Sequence, residues 1–584
     1  TGGIWHFTVP TGQGEHIGIC IQAEMIPGKN GVHLCFYRDR ADGKNGYLAD
    51  AKSVQLILRP DIENRNFHSV TKAYLGAEQD WPPMVSPMLG GFIFTPQPGG
   101  ILSLMISQGS FIPEPEWHYS IHHPMEADRG LDPDSDLFSP GYFSCTINGG
   151  KALTLTAEIA TEPDRAQTEP SGPADGPIPL PLTENRNPDM VHFLKEALGQ
   201  YIVKRHALAT VIAGYPWFLD WGRDTLIVLR GMISAGWTKK AFTILKQFAT
   251  FEKNGTLPNM IHGQNADNRD TSDAPLWFFT DCADLAKKQG SLNFLETVCG
   301  DRTLRRILID MGQSLIKGSP NGIHMDPESG LIFSPAHFTW MDTNHPPGTP
   351  REGYPVEIQA LWHAALCFMA RIDTEQRRAR WRETADLVRF SIKKLFVLDN
   401  GYLSDCLHAK PGQGAGKATA DDALRPNQLF AVTLGAVNDR AMGRKILSAC
   451  ETLLIPGAIR SLADQPVRFP LPIVHQERPV NDPQHPYQGQ YAGDEDTRRK
   501  PAYHNGTAWT WIFPSFCEAW VRVYGAGAAQ TALSWLSSST RTVNQCCIGQ
   551  VPEILDGDFP HTQRGCDAQA WGVSELLRVW IKLK

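Results

Sequence analysis

The chain has 584 residues, more than one ordinary hydrophobic core accommodates, so its length predicts two domains. Hydrophobic residues make up 42% and charged residues 20%, a globular composition that excludes wholesale disorder. A formal net charge of −7 without any Lys/Arg-rich run argues against nucleic acid as a partner. No stretch approaches the roughly 20 apolar residues of a membrane span, so we expect a soluble, cytoplasmic protein.

Polar and apolar residues alternate with period two from about residue 15 to residue 160, which predicts β-strands. The clearest example is LTLTAEI at 153–159. Turns rich in Gly, Pro and Asn separate these runs, as expected for an antiparallel sandwich. Similar short runs occur at 17–21, 32–36, 54–58 and 101–106.

The sequence changes character after this region. Residues 162–189 are too rich in Pro and polar residues to bury a face, and they predict an extended linker. The predicted domains are therefore a β-sandwich over 1–161 and a helical domain over 190–584. Helical periodicity in the second domain, without strand–helix alternation, favours a helical toroid over a parallel α/β barrel. The helical segments are 191–202, 224–236, 238–250, 275–288, 357–372, 376–396, 428–454, 508–523 and 567–582.

The twelve cysteines show neither the C-x2-C pairs nor the His spacing of a zinc site. We therefore expect free thiols in a reducing compartment, with no metal and no cofactor.

Six strings in the helical half are rich in carboxylates or amides, and five of them also contain Trp. A sugar presents apolar ring faces and a rim of hydroxyls, so its site needs aromatic platforms and short polar side chains. The strings thus favour a carbohydrate pocket. They are YPWFLDWGRD (215–224), NRDTSDAPLWFF (268–279), FTWMD (338–342), TPREGYPVE (349–357), YHNGTAWTW (503–511) and VPEILDGDFPHTQRGCDAQAW (551–571).

Structural roles compete with this interpretation. Trp is commonly buried in a large helical protein. Asp224 and Asp273 precede apolar helical runs, where Asp often caps a helix, and Arg223 can simply pair with one of them. The string His504-Asn505-Gly506 can be an ordinary turn.

All of these strings except NRDTSDAPLWFF, together with RPNQLFA at 425–431, resemble the amylo-α-1,6-glucosidase domain of glycogen debranching enzymes, in their bacterial and archaeal version. NRDTSDAPLWFF departs from the usual pattern of that family. This resemblance covers about residues 191–584. ENRNFHS (63–69) and RGLDPDSDLFSPG (129–141) resemble the N-terminal β-domain of the same family. The resemblance implies an (α/α)6 barrel of six inner and six outer helices, and hydrolysis of α-1,6-linked glucose at glycogen branch points with inversion at the anomeric carbon.

The resemblance also implies roles for single residues. By motif, Asp342 is the general acid, Glu553 is the general base, and Arg223 with Asp224 binds the hydroxyls of the glucose at subsite −1. An inverting hydrolysis needs such a pair, one protonated and one ionised, at roughly 6.5 to 9.5 Å. The predicted substrate-binding residues are Trp221, Arg223, Asp224, Asp273, Trp277, Trp340, Glu357, His504, Asn505, Trp509, Gln569 and Trp571.

Some alternatives remain open at this stage. Asp342 begins the string DTNHPPG (342–348), whose residue types are common in turns, and can therefore be a turn residue itself. Asp556 or Asp558 can replace Glu553 as the base. Glu357 is either a sugar contact, which we favour, or an acid stabilised by the helix dipole. The expected partner is an α-glucan, and the competing functions are an α-glucosidase or phosphorylase of a small oligosaccharide, and a non-catalytic α-glucan-binding protein.

Overall fold

The chain divides into two compact units, Thr1–Arg186 and Asn187–Lys584. A computed structural model describes residues 2–26, 28–66, 69–97, 99–128, 130–160, 189–205, 208–261, 265–543, 547 and 549–584. The predicted linker, 162–189, lies outside the described residues except for its last position.

The first unit contains two antiparallel sheets that share one core. The strands are β1 Gly2–Pro10, β2 His16–Met25, β3 Gly31–Arg38, β4 Val54–Leu58, β5 Val85–Met88, β6 Gly91–Phe94, β7 Ile101–Ile106, β8 Ser110–His122, β9 Asp134–Ile147 and β10 Ala152–Ala160. The larger sheet has the order β1-β2-β3-β10-β7-β6-β5 and the smaller one the order β4-β9-β8. Phe92 of the larger sheet and Phe138 and Phe143 of the smaller one are fully buried in that core.

All five runs with period two lie in strands of this unit, which confirms the predicted antiparallel β-domain. The two longest strands, β8 and β9, were not predicted. Their pairing shifts register between Pro113 and Glu116 and again between His118 and Ile121. Such irregularities interrupt the alternation of faces on which the prediction depends. Short helices cover Ala77–Asp80 and Pro124–Asp128.

The second unit is built from helices around one large apolar core. Each predicted helical segment contains a helix, although strand residues lie at one end of 191–202, 508–523 and 567–582. The segment 428–454 is two helices, because Gly435 has a φ of 87° and Asp439 caps the second helix. The helices are Met190–Gly199, Gly222–Ser234, Thr238–Phe251, Ala274–Gln289, Leu304–Lys317, Val356–Ile372, Glu375–Leu395, Leu429–Thr433, Arg440–Glu451, Lys500–Tyr503, Phe513–Tyr524, Ala529–Leu536 and Ala570–Leu583.

Short strands join the helices and carry several of the polar strings. One five-stranded sheet has the order Leu454–Ile455, Ala458–Arg460, Ala508–Trp509, Ile554–Leu555 and Gln563–Arg564. It pairs Trp509 with Ile554, and so places the YHNGTAWTW string beside the string that contains Glu553.

Two absences hold for the described part of the chain. None of its helices is both long enough and apolar enough to cross a membrane. No group of His, Cys, Asp and Glu side chains in it has an arrangement that can hold a metal ion.

Candidate active site

Residues far apart in the sequence meet around one buried arginine. Arg223 lies in the first turn of the helix Gly222–Ser234, and Asp273 directly precedes the helix Ala274–Gln289. Arg223 Nε donates a hydrogen bond to Asp273 Oδ2 at 2.7 Å, and Arg223 Nη1 donates to Asp342 Oδ2 at 2.9 Å. The remaining Nη2 atom is buried without a partner among the described residues, which leaves one donor for a ligand.

Asp342 belongs to the irregular segment that follows Trp340. Its side chain keeps 34% of its accessible surface, so a substrate can reach it although Arg223 is buried behind it. Desolvation raises the pKa of Asp342 above its usual value, even though the Arg223 charge and hydrogen bond act in the opposite direction. A carboxyl group with a raised pKa holds its proton at higher pH, as a general acid requires.

Glu553 is buried just ahead of the strand Ile554–Leu555. Tyr503 Oη donates a hydrogen bond to its Oε1 at 2.5 Å, and the Cys566 backbone N–H donates to its Oε2 at 3.0 Å. Each oxygen of the carboxylate therefore has a donor. This arrangement fixes the position of a group that acts as an acceptor when ionised.

The charges of Arg223, Asp342 and Glu553 all act on Asp224. Its side chain is almost completely buried, and no described side chain donates a hydrogen bond to it. Desolvation raises the pKa of Asp224 to about 8; the Arg223 charge opposes this shift, and the Asp342 and Glu553 charges add to it. Both proposed catalytic carboxylates therefore act on the same buried group.

Aromatic side chains form a wall of the site. The rings of Trp340 and Trp509 meet edge to face with centroids 5.0 Å apart, and His504 stacks on Trp509 at 5.1 Å. Trp511 and Trp571 stack at 4.8 Å in the same cluster. All of these rings are buried, so they pack against one another and are not open platforms.

His504 combines a structural contact with an unpaired nitrogen. Its Nδ1 lies 2.8 Å from Thr343 Oγ1, close in sequence to Asp342, and its Nε2 is buried without a partner among the described residues. Burial, with the Arg425 and Arg223 charges, lowers the pKa of His504 well below its usual value. The ring is therefore neutral at pH 7.

Other predicted contacts are committed to protein neighbours. Asn505 accepts a hydrogen bond from Arg425 and donates to two backbone carbonyls. Trp277 packs edge to face on Phe430 within the core. The Gln569 amide, in the orientation that satisfies both its atoms, bonds to Ala213 and to Trp571 Nε1. Trp221, by contrast, is half-buried and is the most accessible of the predicted Trp residues.

Glu357 lies in a separate buried ion-pair cluster. Its two carboxylate oxygens accept hydrogen bonds from Arg351 at 2.5 and 2.7 Å, and Arg351 Nε also donates to Asp405 Oδ2 at 2.7 Å. A carboxylate held in this bidentate pair braces the loop. This geometry favours a structural role for Glu357 over the sugar contact expected from sequence.

The two alternative bases are also paired. Asp556 accepts hydrogen bonds from the Tyr491 backbone N–H at 2.7 Å and from Arg564 Nε at 3.1 Å. Asp558 accepts a hydrogen bond from Tyr487 Oη at 2.8 Å. Glu553 remains the better candidate because its charge acts on Asp224 together with that of Asp342, whereas Asp556 is held in an ion pair with Arg564.

Tyr503 was not among the predicted residues, although it lies in the YHNGTAWTW string. Its sequence position gives no sign that its hydroxyl meets Glu553, because that contact is made across 50 residues. The Cys566 backbone N–H carries no side-chain signal at all. Both contacts become visible only in three dimensions.

Comparison with solved structures gives matches of different strength. A bacterial glucoamylase in a crystal structure of its complex with acarbose matches with a TM-score of 0.54 and 13% identity, over 100% of this chain and 86% of that chain. A structure described as a wild-type glycosidase matches with a TM-score of 0.45 and 13% identity, over 68% of this chain and 96% of that chain. The glucoamylase likeness confirms the predicted (α/α)6 barrel, the fold of a class of glycoside hydrolases.

Residues 196–578 match the family Amylo-alpha-1,6-glucosidase, and residues 4–154 match Glycogen debranching enzyme N terminal. The chain belongs to the amylo-α-1,6-glucosidase family. A curated relative, the glycogen debranching enzyme of Saccharomyces cerevisiae (strain ATCC 204508 / S288c), is 24% identical over 389 residues, which cover 51% of this chain and 24% of the yeast chain. The matched part thus spans about a quarter of that relative's length.

Proposed function

We propose that this protein is a hydrolase that releases glucose from α-1,6-linked branch points of glycogen or a related α-glucan, by an inverting mechanism without a cofactor. The observation that carries the proposal is that neighbouring residues link Asp342 to Glu553: Thr343, next to Asp342, contacts His504, and Tyr503, next to His504, donates a hydrogen bond to Glu553. Both charges raise the pKa of the buried Asp224, and both raise the pKa of Tyr503. Family membership supplies the substrate class.

In the proposed reaction Asp342 is the general acid and Glu553 the general base. Asp342 gives its proton to the glycosidic oxygen as the bond to the anomeric carbon breaks. Glu553 takes a proton from water, and the oxygen of that water attacks the opposite face of the sugar. After product release Asp342 regains a proton from solvent, and Glu553 loses its proton to solvent.

Arg223 and Asp224 are proposed to bind the outer hydroxyls of the glucose. Arg223 contributes its unpartnered Nη2 donor. Asp224 contributes an acceptor to which no described side chain donates. A bound hydroxyl satisfies both buried groups, and a substrate that lacks it leaves them unpaired. Discrimination between sugars follows from this cost.

The direct test is proton NMR of fresh product from a maltooligosaccharide that bears a 6-O-α-glucosyl branch. We expect β-glucose before mutarotation. First-formed α-glucose means retention and contradicts Glu553 as a base; glucose 1-phosphate formed only with phosphate means a phosphorylase.

Variants then test the two roles. We expect Asp342→Asn and Glu553→Gln to lower kcat by about 10²-fold to 10⁴-fold with an unchanged melting temperature, because each removes a proton-transfer group. Asp558→Asn is the matched control: it makes the same carboxyl-to-amide change near Glu553, and Tyr487 can still donate to the amide oxygen. Near-normal turnover in either catalytic variant refutes its assignment.

A further inference from the structure

A short hairpin projects from the proposed base. Its strands are Ile554–Leu555 and Gln563–Arg564, and its tip is 556–562. Glu553 immediately precedes the first strand, and Cys566, whose backbone N–H donates to Glu553, follows the second. The tip is therefore attached at both ends to the residues that define the position of the base.

Polar contacts fix the tip. The Asp556 carboxylate joins Arg564 across the hairpin at 3.1 Å, and the Gly557 backbone N–H donates to the Gly489 carbonyl at 2.6 Å. Asp558 accepts from Tyr487, as described above. These hydrogen bonds hold the backbone of the tip in one conformation. Binding of a ligand there therefore costs little additional conformational entropy.

Phe559, in the middle of this tip, is the exception to the polar pattern. Its side chain is 88% exposed. Its ring lies at 80° to the His561 ring with centroids 6.2 Å apart, and its high exposure leaves most of the phenyl surface accessible. A single exposed apolar residue needs no explanation by itself. A bare aromatic ring on a rigid support attached to a catalytic group is what a carbohydrate platform requires.

We propose that Phe559 is a platform for the glucan main chain. Glucose units of the main chain that lie beyond the branched unit stack on its ring. This inference rests on the proposed function and assigns a site for the part of the substrate that is not released. The apolar face of a pyranose ring covers the phenyl ring, and its hydroxyls stay in water. Phe559 thereby selects substrates with a long main chain over small α-1,6-linked sugars.

The test compares two substrates and two matched variants. One substrate is isomaltose, whose single acceptor glucose does not extend to the platform; the other is a branched maltooligosaccharide with a main chain of several glucose units. For Phe559→Ala we expect KM for the long substrate to rise roughly fivefold to tenfold with kcat unchanged, as for lost uniform binding. Both constants for isomaltose stay the same. Phe559→Trp restores the KM for the long substrate.

Phe390→Ala is the control. Phe390 is an exposed phenylalanine as well, at 60%, and lies on the helix Glu375–Leu395. It leaves both substrates unaffected. An equal change of KM for isomaltose and the long substrate in Phe559→Ala, or no change for either, overturns the platform. Loss of kcat with both substrates at an unchanged melting temperature overturns it as well, because it shows an effect on Glu553.

A binding measurement separates this inference from the proposed function. Titration calorimetry with linear maltohexaose measures affinity in wild type and Phe559→Ala without turnover. A Kd raised roughly fivefold by the substitution supports the platform even if the wild type releases no glucose. An equal Kd in both proteins overturns the platform, even if the wild type hydrolyses the branched substrate.

Discussion

Tyr503→Phe removes one oxygen atom from the site and little else. The ring of Tyr503 packs on His504 at 4.7 Å and on Trp509 at 4.9 Å, and a phenylalanine ring keeps these contacts. The lost hydroxyl is the donor to Glu553 Oε1 at 2.5 Å, whereas the Cys566 backbone N–H still donates to Glu553 Oε2 at 3.0 Å. Burial, together with the Glu553 charge, raises the pKa of Tyr503 well above its usual value, so the hydroxyl donates throughout the assay range.

The expected effect follows from the strength of that bond. A hydrogen bond to a charged group contributes about 1.5 to 3 kcal/mol, which corresponds to a roughly tenfold to 150-fold change in rate. Because the bond positions Glu553 and does not touch the sugar, the loss falls on kcat. We expect KM to stay within about twofold of wild type.

The measurement is steady-state kinetics on the branched maltooligosaccharide, with thermal unfolding as a check on folding. Tyr487→Phe is the matched control, because the Tyr487 hydroxyl also donates to a carboxylate, that of Asp558, at 2.8 Å. Tyr487→Phe leaves kcat near the wild-type value. A kcat for Tyr503→Phe within twofold of wild type refutes the positioning role, as does an equal loss in the Tyr487 variant.

Two further predictions concern pH. Arg223→Gln removes the charge that lowers the pKa of Asp342, so we expect the alkaline limb of the kcat/KM profile to move to higher pH. Arg223→Lys keeps the charge and should move this limb less. An alkaline limb that does not move in Arg223→Gln contradicts Asp342 as the general acid. The carboxyl oxygens of fully buried Asp281 lack hydrogen-bond partners among the described residues, and burial and Asp284 raise its pKa. The folded state therefore keeps a proton that the unfolded chain releases above about pH 4, and stability falls as pH rises. We expect Asp281→Asn to raise the melting temperature more at pH 8 than at pH 5. Asp284→Asn is the control, because it breaks an ion pair with Arg230 and so lowers the melting temperature. An Asp281→Asn variant whose melting temperature does not rise at pH 8 refutes a destabilising raised pKa of Asp281.

Local periodicity predicted the architecture well, because burial of one face imposes a period of two or 3.6 on the sequence. The pattern failed where local backbone geometry interrupts it. The bulged pairing of β8 with β9 hid two long strands in this way. Periodicity reports burial over many residues and gives no warning of such single positions. The helix Leu304–Lys317 was missed for no such reason, because its buried positions follow helical spacing and Thr303 caps it.

The site was predictable as a set of strings but not as a set of partners. Glu357 and Asp342 both follow a loop and both meet a buried arginine. Arg351 takes both oxygens of Glu357, whereas Arg223 takes one oxygen of Asp342 and leaves that side chain partly exposed. Only three-dimensional packing decides between these outcomes, because each depends on contacts over long distances in the sequence.

The charges around Arg223 explain how a pocket lined by carboxyl groups can keep one of them protonated. The single guanidinium is shared by Asp273 and Asp342, so it does not neutralise all the acids that surround it. Desolvation, reinforced by the Asp342 and Glu553 charges, raises the pKa of Asp224 to about 8, and desolvation also raises the pKa of Asp342. Groups that interact in this way titrate together, so the alkaline limb belongs to the pair Asp224 and Asp342.

Substrate binding then changes the distribution of protons within that pair. A sugar hydroxyl that donates to Asp224 stabilises its ionised form and lowers its pKa. An ionised Asp224 in turn raises the pKa of Asp342 through its charge. The bound sugar therefore favours the protonated form of the proposed acid at the moment when its proton is needed, and Asp224→Asn should lose this coupling. In that variant the alkaline limb of kcat, which reports the bound enzyme, lies at lower pH than in wild type; an unchanged limb contradicts the coupling.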